Sequence, residues 1–119
     1  MAFVPAASAK VYAKTTLKMD PVFLTNGATM WSGQVLAPTN EKCANKRVVL
    51  IFKQRPGRDQ KIGSTKAEPV TGQVGYYWAF EKVGFAAKPS ERFYVKVKRT
   101  ERPACAAARS SVRSGPEGY

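Results

Sequence analysis

Eight prolines divide the chain at intervals of 13 to 20 residues, and none lies inside a stretch with a regular hydrophobic pattern. Proline lacks a backbone N–H and has a fixed φ, so it interrupts helices and sheet ladders alike. The prolines are Pro5, Pro21, Pro38, Pro56, Pro69, Pro89, Pro103 and Pro116. We therefore expect short elements separated by turns.

Between the prolines, apolar and polar residues alternate with a period of two, and β-branched and aromatic residues are frequent. This pattern predicts β-strands, and no window of about 11 or more residues shows a helical period. The seven predicted strands are 14–19, 29–37, 47–54, 60–66, 75–81, 92–99 and 108–113. Their number and spacing indicate an all-β fold, a seven-stranded antiparallel immunoglobulin-like β-sandwich. We expect the sandwich to occupy residues 14–113, between an extended arm at 1–13 and a flexible tail at 114–119.

The segment 92–99 shows the alternation most clearly. Phe93, Val95 and Val97 share one face, which we predict to be in the core, as we do for Trp78. The run 48–52 is apolar on both faces, which is typical of a central strand or of one that another chain partly covers. The predicted partner-binding residues of this strand are Val49 and Ile51.

The charge is strongly basic but evenly spread along the chain. Lys and Arg number 20 against 8 Asp and Glu, a net charge of +12. Residues 1–60 hold nine basic and three acidic residues, and residues 61–119 hold eleven and five, so each half contributes +6. The sequence lacks a polybasic tail, and no stretch approaches the roughly 18 apolar residues of a membrane span. We expect a general attraction to an acidic lattice or cell-wall polymer, without membrane insertion.

The absence of histidine excludes several kinds of site. Ser-His-Asp and Cys-His catalysis, a Cys2His2 zinc site and a histidine pH switch all need that residue. Most of the carboxylates have a Lys or Arg within two residues, and none lies in the apolar or like-charged setting that a catalytic acid needs. The stretch Gly72–Gly75 lacks the Lys-Ser/Thr of a phosphate loop and is predicted to be a hairpin turn. We expect no catalytic activity and no metal or other cofactor.

Residues 1–13 are small, weakly apolar and without periodicity, which predicts an extended arm. Its predicted contacts with a partner are Phe3, Val4, Val11 and Tyr12. Ala7-Ser8-Ala9 is similar to a leader-peptidase site, but no basic residue precedes Lys10 and the apolar stretch is short for a signal peptide. We therefore take the arm as part of the working protein.

Cys43 and Cys105 each lie in a predicted loop among polar or small residues. Such a pair in a small β protein predicts one disulfide, and two free thiols are the alternative. Two thiolates without a histidine or a carboxylate pair cannot complete a tetrahedral metal site. A bridge would close a loop of about 63 residues, worth roughly 4 kcal/mol by chain entropy. It would also imply an environment outside a reducing cytosol.

Basic and aromatic residues share one face of the segment 92–99. The residues of this predicted acidic-partner face are Arg92, Tyr94, Lys96, Lys98 and Arg99. They could form a platform for single-stranded nucleic acid, but the segment lacks the glycine and further aromatic residues of the RNA-binding strand signature. The favoured interpretation is a solvated sheet face. Likewise, Trp31, Tyr76 and Tyr77 could stack on a sugar, but such residues more often fill a core.

A series of short motifs in a fixed order resembles a group of immunoglobulin-like domains. The motifs are Thr15–Leu17, Trp31–Val35, Cys43, Arg47–Leu50, Gly57–Asp59, Ile62–Thr65, Gly75–Trp78, Phe93–Val97 and Cys105–Ala107. The group is related in style to carboxypeptidase-regulatory domains and occurs in secreted, surface and phage-encoded proteins of high-GC Gram-positive bacteria. The resemblance covers about residues 15–113. It implies a Cys43–Cys105 disulfide and a non-catalytic spacing, stiffening or adhesion role.

Three functional hypotheses result. The first is a phage virion accessory protein on the virion surface, a capsid decoration or tail subunit that attaches to a protein lattice and adds buried area there. Assembly as a homo-oligomer is a further hypothesis for such a subunit. The second is a secreted or cell-surface adhesion or spacer module, working extracellularly. The third is a nonspecific nucleic-acid binder, which predicts affinity that falls steeply with salt.

Overall fold

The computed structural model describes residues 10–116, and it is all-β apart from one 3-10 turn at Glu41–Cys43. The twelve strands are β1 (Thr16–Met19), β2 (Phe23–Thr25), β3 (Ala28–Leu36), β4 (Val48–Lys53), β5 (Gln60–Lys66), β6 (Glu68–Pro69), β7 (Tyr76–Val83), β8 (Arg92–Val97), β9 (Thr100–Glu101), β10 (Ala104–Cys105), β11 (Ala108–Arg109) and β12 (Arg113–Ser114). Every pairing between them is antiparallel. Over residues 10–116, no helix has the length and apolar character needed to cross a membrane.

The strands form two five-stranded sheets and a small two-stranded one. The first sheet has the order β1-β3-β7-β6, and β2 pairs with β3 beyond the end of β1. The second has the order β11-β8-β4-β5, and β12 pairs with β8 beyond the end of β11. Strands β9 and β10 form the third sheet, a separate short hairpin. The prediction of an all-β, antiparallel fold is therefore confirmed.

The two large sheets face one another across a single hydrophobic core. Trp31 and Trp78 come from the first sheet, and Phe93, Val95 and Val97 come from the second; each is at most 1% exposed. The rings of Trp31 and Phe93 meet edge to face at 5.3 Å between centroids. The core residues predicted from the alternation of 92–99, and Trp78, are confirmed.

The strand boundaries differ from the predictions mainly at the sheet edges. The predicted strand 108–113 is two short strands, because the ladder is interrupted at Ser110, whose backbone N–H still donates to the Val95 carbonyl at 2.9 Å. The Ser110 hydroxyl accepts a hydrogen bond from the backbone N–H of Val95 at 3.0 Å, where a strand would present a carbonyl. Pro69 lies in β6, which pairs with β7 alone, and an edge strand tolerates a residue that has no N–H to donate.

The segment after β6 turns back through Gly72 and Gly75 to β7, which confirms the hairpin turn. Glu68 pairs with Tyr77 across it. Both glycines have positive φ, 80° and 107°, a conformation that residues with a Cβ rarely adopt.

The ends of the described chain are attached to the fold. Ser114 belongs to β12, Gly115 donates a backbone hydrogen bond to Glu91 at 2.7 Å, and Gly115 and Pro116 are buried. Residues 114–116, the first three of the predicted tail, therefore contact the folded strands.

Candidate functional site

The outer face of the second sheet carries the basic residues of β8. Tyr94 lies opposite Phe52 of β4, and Lys96 lies between Leu50 of β4 and Arg109 of β11. Paired residues on neighbouring strands point to the same side of a sheet. These side chains therefore form one patch, on the side away from the core.

Within this patch, two aromatic rings are each covered by a cation. Phe52 and Tyr94 stack with centroids 5.4 Å apart and planes 12° from parallel. The Arg109 guanidinium carbon lies 3.8 Å from the Tyr94 ring centroid, and Lys96 Nζ lies 4.6 Å from that of Phe52. Such contacts hold cations at fixed positions on the sheet. Because Tyr94 is only 4% exposed, its ring face is closed to a stacking ligand.

Asp59 holds the edge of the aromatic pair. One carboxylate oxygen accepts a hydrogen bond from the Tyr94 hydroxyl, and the other accepts one from the Arg55 backbone N–H at 3.2 Å. The Tyr94 hydrogen bond, with the Arg55 N–H and the Arg109 charge, lowers the pKa of Asp59. Burial, with the hydrogen bond to Asp59 and its charge, raises the pKa of Tyr94. The carboxylate is thus already engaged.

At one end of the patch, the surface deepens into a basic pocket of about 360 Å³. Four exposed basic residues line this pocket: Lys42, Lys46, Lys98 and Arg102. Lys98 also borders the shallow depression that contains Lys96 and Arg109, so the pocket and the sheet face are continuous. We call the pocket and the patch together the cationic surface.

Two chain segments form the pocket walls, and a disulfide joins them. Cys43, in the 3-10 turn, is bonded to Cys105 in β10 with 5.5 Å between the Cα atoms. The predicted disulfide is confirmed. Both cysteines are at most 1% exposed, so the bond is a buried structural link rather than a reactive one.

Arg47 also connects the same two segments, through hydrogen bonds beneath the pocket. Its Nη1 donates to Thr15 Oγ1 at 3.2 Å and to the Cys43 carbonyl at 2.9 Å, and its Nη2 donates to the carbonyls of Lys98 and Ala106, both at 2.8 Å. Burial lowers the pKa of this guanidinium, which is 6% exposed. Arg47 therefore cross-links the walls by hydrogen bonds to neutral groups.

The end of the predicted arm is docked on the β9–β10 hairpin. Ala13 exchanges backbone hydrogen bonds with Ala104 and Ala106, both at 2.9 Å. The Tyr12 hydroxyl donates to Glu101 at 2.7 Å, and Lys10 pairs with the same carboxylate at 3.0 Å. These two contacts lower the pKa of Glu101, and that carboxylate is the main cause that raises the pKa of Tyr12.

Of the other predicted arm contacts, Val11 is 85% exposed and open to a partner. Phe3 and Val4 lie outside the described residues. The arm therefore reaches the domain beside the pocket, at the hairpin that supplies Arg102.

The prediction that Val49 and Ile51 contact a partner is wrong. Both are 0% exposed, and Ile51 lies opposite Val95, a core residue of β8. These two side chains face the first sheet. The outward residues of β4 are Val48, Leu50 and Phe52. Side chains of their own sheet largely cover Leu50 and Phe52, whereas Val48 is 46% exposed.

The predicted basic face is placed as expected in part. Lys96 and Lys98 lie on the cationic surface. Arg92 is exposed at the other end of β8, opposite Ser114. Arg99 lines the same depression as Lys96 and Lys98, but its charge is paired on the side of the arm. Its guanidinium carbon lies 4.8 Å from the Tyr12 ring centroid, and it pairs with Glu101 at 3.3 Å.

The aromatic residues considered for sugar stacking are not one strip. Trp31 is fully buried in the core, and Tyr76 is half-buried against it. Tyr77 lies on the outer face of the first sheet, opposite Gln34. The core interpretation of Trp31 is confirmed.

Four important residues were not predicted from the sequence. Lys42 and Lys46 lie in the turn before β4, Arg102 lies in the β9–β10 hairpin, and Arg109 lies in a strand of two residues. Only the folding of the chain brings them beside Lys98. For Arg47, the one available signal was its position at the start of a predicted strand and close to a cysteine.

The outer face of the first sheet has a different charge pattern. Lys18 and Glu68 flank the pair Gln34 and Tyr77, and Glu81 lies further along the same face. Positive and negative charges are therefore mixed on this side. The even charge along the sequence becomes an uneven one in space.

No protein-family model matches the chain, and the comparison with curated proteins gives no match. The resemblance to immunoglobulin-like domains therefore stays a prediction. Among residues 10–116, no cluster of three or more His, Cys, Asp or Glu is arranged to hold a metal ion.

Proposed function

We propose that the protein is a non-catalytic binding module that attaches, through the cationic surface, to an acidic surface of a larger assembly. One observation carries this proposal: apart from the buried Arg47 and the ion-paired Arg99, six basic side chains lie on one continuous surface. They are Lys42, Lys46, Lys96, Lys98, Arg102 and Arg109. Within residues 10–116, the ion pairs involve Lys10, Lys53 and Arg99, and none involves these six.

Concentration of like charge on one face favours attachment to a polyanion. The field of several neighbouring cations adds over distances of a Debye length, about 8 Å at physiological salt. Such a surface speeds encounter with an acidic partner and selects against basic ones. The mixed charges around Lys18 and Glu68 offer no such field.

The covered rings favour contact with charge rather than base stacking. Proteins that bind single-stranded nucleic acid combine a basic groove with open aromatic faces. Here Phe52 and Arg109 approach Tyr94 from opposite sides, since β8 lies between β4 and β11. We therefore rank the nucleic-acid hypothesis below attachment to an acidic surface.

For the fold, we infer an immunoglobulin-like sandwich. If β1 with β2, and β11 with β12, are each one interrupted strand, the sheet orders become first-second-sixth-fifth and eighth-seventh-third-fourth, with the β9–β10 hairpin as an insertion. This order agrees with the ABED and GFC sheets of that fold with one added strand. The disulfide differs, because it joins a 3-10 turn to a hairpin rather than one sheet to the other.

The virion accessory protein and the cell-surface module both stay predictions, and both need an attachment surface of this kind. For the first, deletion of residues 1–13 should abolish occupancy on purified particles while the domain remains folded. Because Tyr12 and Ala13 contact the hairpin, the thermal melt of the deletion variant is measured alongside. Undiminished occupancy of the deletion variant on the particles would show that the arm takes no part in attachment.

The proposed function is tested by binding to immobilised poly-L-glutamate over a series of salt concentrations. The matched variants are Lys98→Gln, on the cationic surface, and Lys18→Gln, on the outer face of the first sheet. Each removes one exposed charge. We expect Lys98→Gln to weaken binding and to reduce the slope of log K against log salt by about one, by analogy with a lost phosphate contact.

Lys18→Gln should bind as the wild type does. Equal weakening by both variants would show that net charge alone drives binding, and would overturn the proposal. No measurable binding by the wild type at low salt would also overturn it.

A further inference from the structure

We propose that the basic pocket is a site for a phosphoryl group, such as pyrophosphate or a phosphate ester carried by the acidic partner. This inference rests on the proposed function and names the chemical group that the pocket of the cationic surface binds. The site consists of Lys42, Lys46, Lys98 and Arg102.

The charge of the pocket fits one group with several negative charges. Five basic residues line it, the four exposed ones and the buried Arg47, and no Asp or Glu is among its lining residues. Lys42 and Lys46 come from the turn before β4, whereas Lys98 and Arg102 come from the end of β8 and the β9–β10 hairpin. A ligand between these walls meets cations from both sides.

A phosphoryl group matches the basic side chains of the pocket better than a carboxylate does. A carboxylate has one charge and two oxygens, whereas a phosphate has up to two charges and three acceptor oxygens. Arginine binds phosphate through a planar fork, and lysine binds it as a point charge. The volume of about 360 Å³ far exceeds the roughly 30 Å³ of a water molecule, so a diphosphate fits.

The walls are fixed before any ligand arrives. The Cys43–Cys105 disulfide joins them, and Arg47 donates to the carbonyls of Cys43 on one wall and Lys98 on the other. A site whose walls are already held loses less conformational entropy on binding. The basic side chains therefore project from a rigid frame.

Lys46 supplies a second, independent observation. Its φ is +58°, and no other residue apart from glycine among residues 10–116 has positive φ. A lysine is strained there, whereas glycine adopts this conformation freely. Its N–H donates to the Ala67 carbonyl at 2.6 Å, which helps to hold the turn. Backbone strain of this kind is common at binding sites, so the place of Lys46 in the pocket wall supports a role for its side chain.

The test is isothermal titration calorimetry of the full chain with inorganic pyrophosphate, and with citrate as a carboxylate anion of similar charge. We expect one pyrophosphate per chain and weaker binding of citrate. Lys46→Gly removes the charge and relieves the strain, so it should weaken pyrophosphate binding by about tenfold, the size of one charge-assisted hydrogen bond, without lowering Tm.

Lys18→Gln is the control, because Lys18 is exposed on the outer face of the first sheet and lies outside both the pocket and the cationic surface. It should change pyrophosphate affinity by less than about twofold, since an exposed charge outside the site contributes little. Equal affinity for citrate, or equal loss in Lys46→Gly and Lys18→Gln, would overturn the phosphoryl site. If the full chain binds poly-L-glutamate but not pyrophosphate, this inference alone is wrong. If it binds neither, the proposed function is wrong as well.

Discussion

Replacement of Arg47 by methionine tests how the pocket walls are held. Methionine keeps much of the side-chain volume but removes the four hydrogen bonds to Thr15, Cys43, Lys98 and Ala106. The Thr15 hydroxyl and the Cys43 carbonyl then lose this donor at a buried site, and the carbonyls of Lys98 and Ala106 lose it at a partly buried one.

The expected magnitude follows from two opposed effects. A buried acceptor left without a partner costs about 1–3 kcal/mol, so these four groups together could cost more than 4 kcal/mol. Removal of a charge that the structure buries offsets part of this cost, as the lowered pKa of Arg47 indicates. We expect a net loss of about 3–5 kcal/mol, a large part of the 5–15 kcal/mol typical of a domain.

Urea denaturation measures this loss. With a slope of about 1–3 kcal/mol per molar, the midpoint of Arg47→Met should fall by about 2 M. Arg58→Met is the matched control, because Arg58 is exposed in the turn before β5, and its change should stay within about 0.5 kcal/mol. A loss below about 1 kcal/mol for Arg47→Met would refute the claim that this guanidinium holds the walls together.

Three further outcomes concern other contacts. Reduction of the Cys43–Cys105 bond should lower the free energy of unfolding by about 4 kcal/mol, and an unchanged urea midpoint in reductant would contradict this. Gly33→Ala should cost at least about 2 kcal/mol in a thermal melt, since its Cβ would lie 1.9 Å from the Lys18 carbonyl oxygen; a wild-type Tm would show that β1 can shift. Because the pKa of Asp59 is lowered in the fold, its contribution is present above the unfolded-state pKa and lost as pH falls through the folded-state value. Asp59→Asn should therefore melt below the wild type at neutral pH and match it in strong acid, whereas a difference independent of pH would argue against the Asp59 hydrogen bonds.

The alternation of apolar residues was sufficient to predict the core and most long strands. The predicted strand 60–66 coincides with β5, and the predicted 29–37 differs from β3 by one residue at each end. Phe93 in β8 and Trp78 in β7 lie in the core because a two-residue period places each of them on the inner face of its own strand. These strands and core positions depend on the local pattern of apolar residues, so they can be predicted from a single sequence.

The short strands and the site depend on contacts that no local pattern records. β2, β6, β9 and β10 have two or three residues each and exist because a partner strand is nearby. Val49 and Ile51 were assigned to the wrong side, since an apolar run on both faces does not show which face meets the core. The pocket joins loops about 50 to 60 residues apart in sequence, and the disulfide predicted between them was the one sequence signal of their proximity.

The most direct test of the central claim is to map the binding surface by NMR. The backbone amides of the ¹⁵N-labelled chain are followed while poly-L-glutamate is added at low salt. We predict shift changes concentrated in β4, β8 and β11 and around Lys42 and Arg102, and reversed by added salt. Changes concentrated around Lys18 and Glu81 on the first sheet, or spread evenly over both faces, would contradict attachment through the cationic surface.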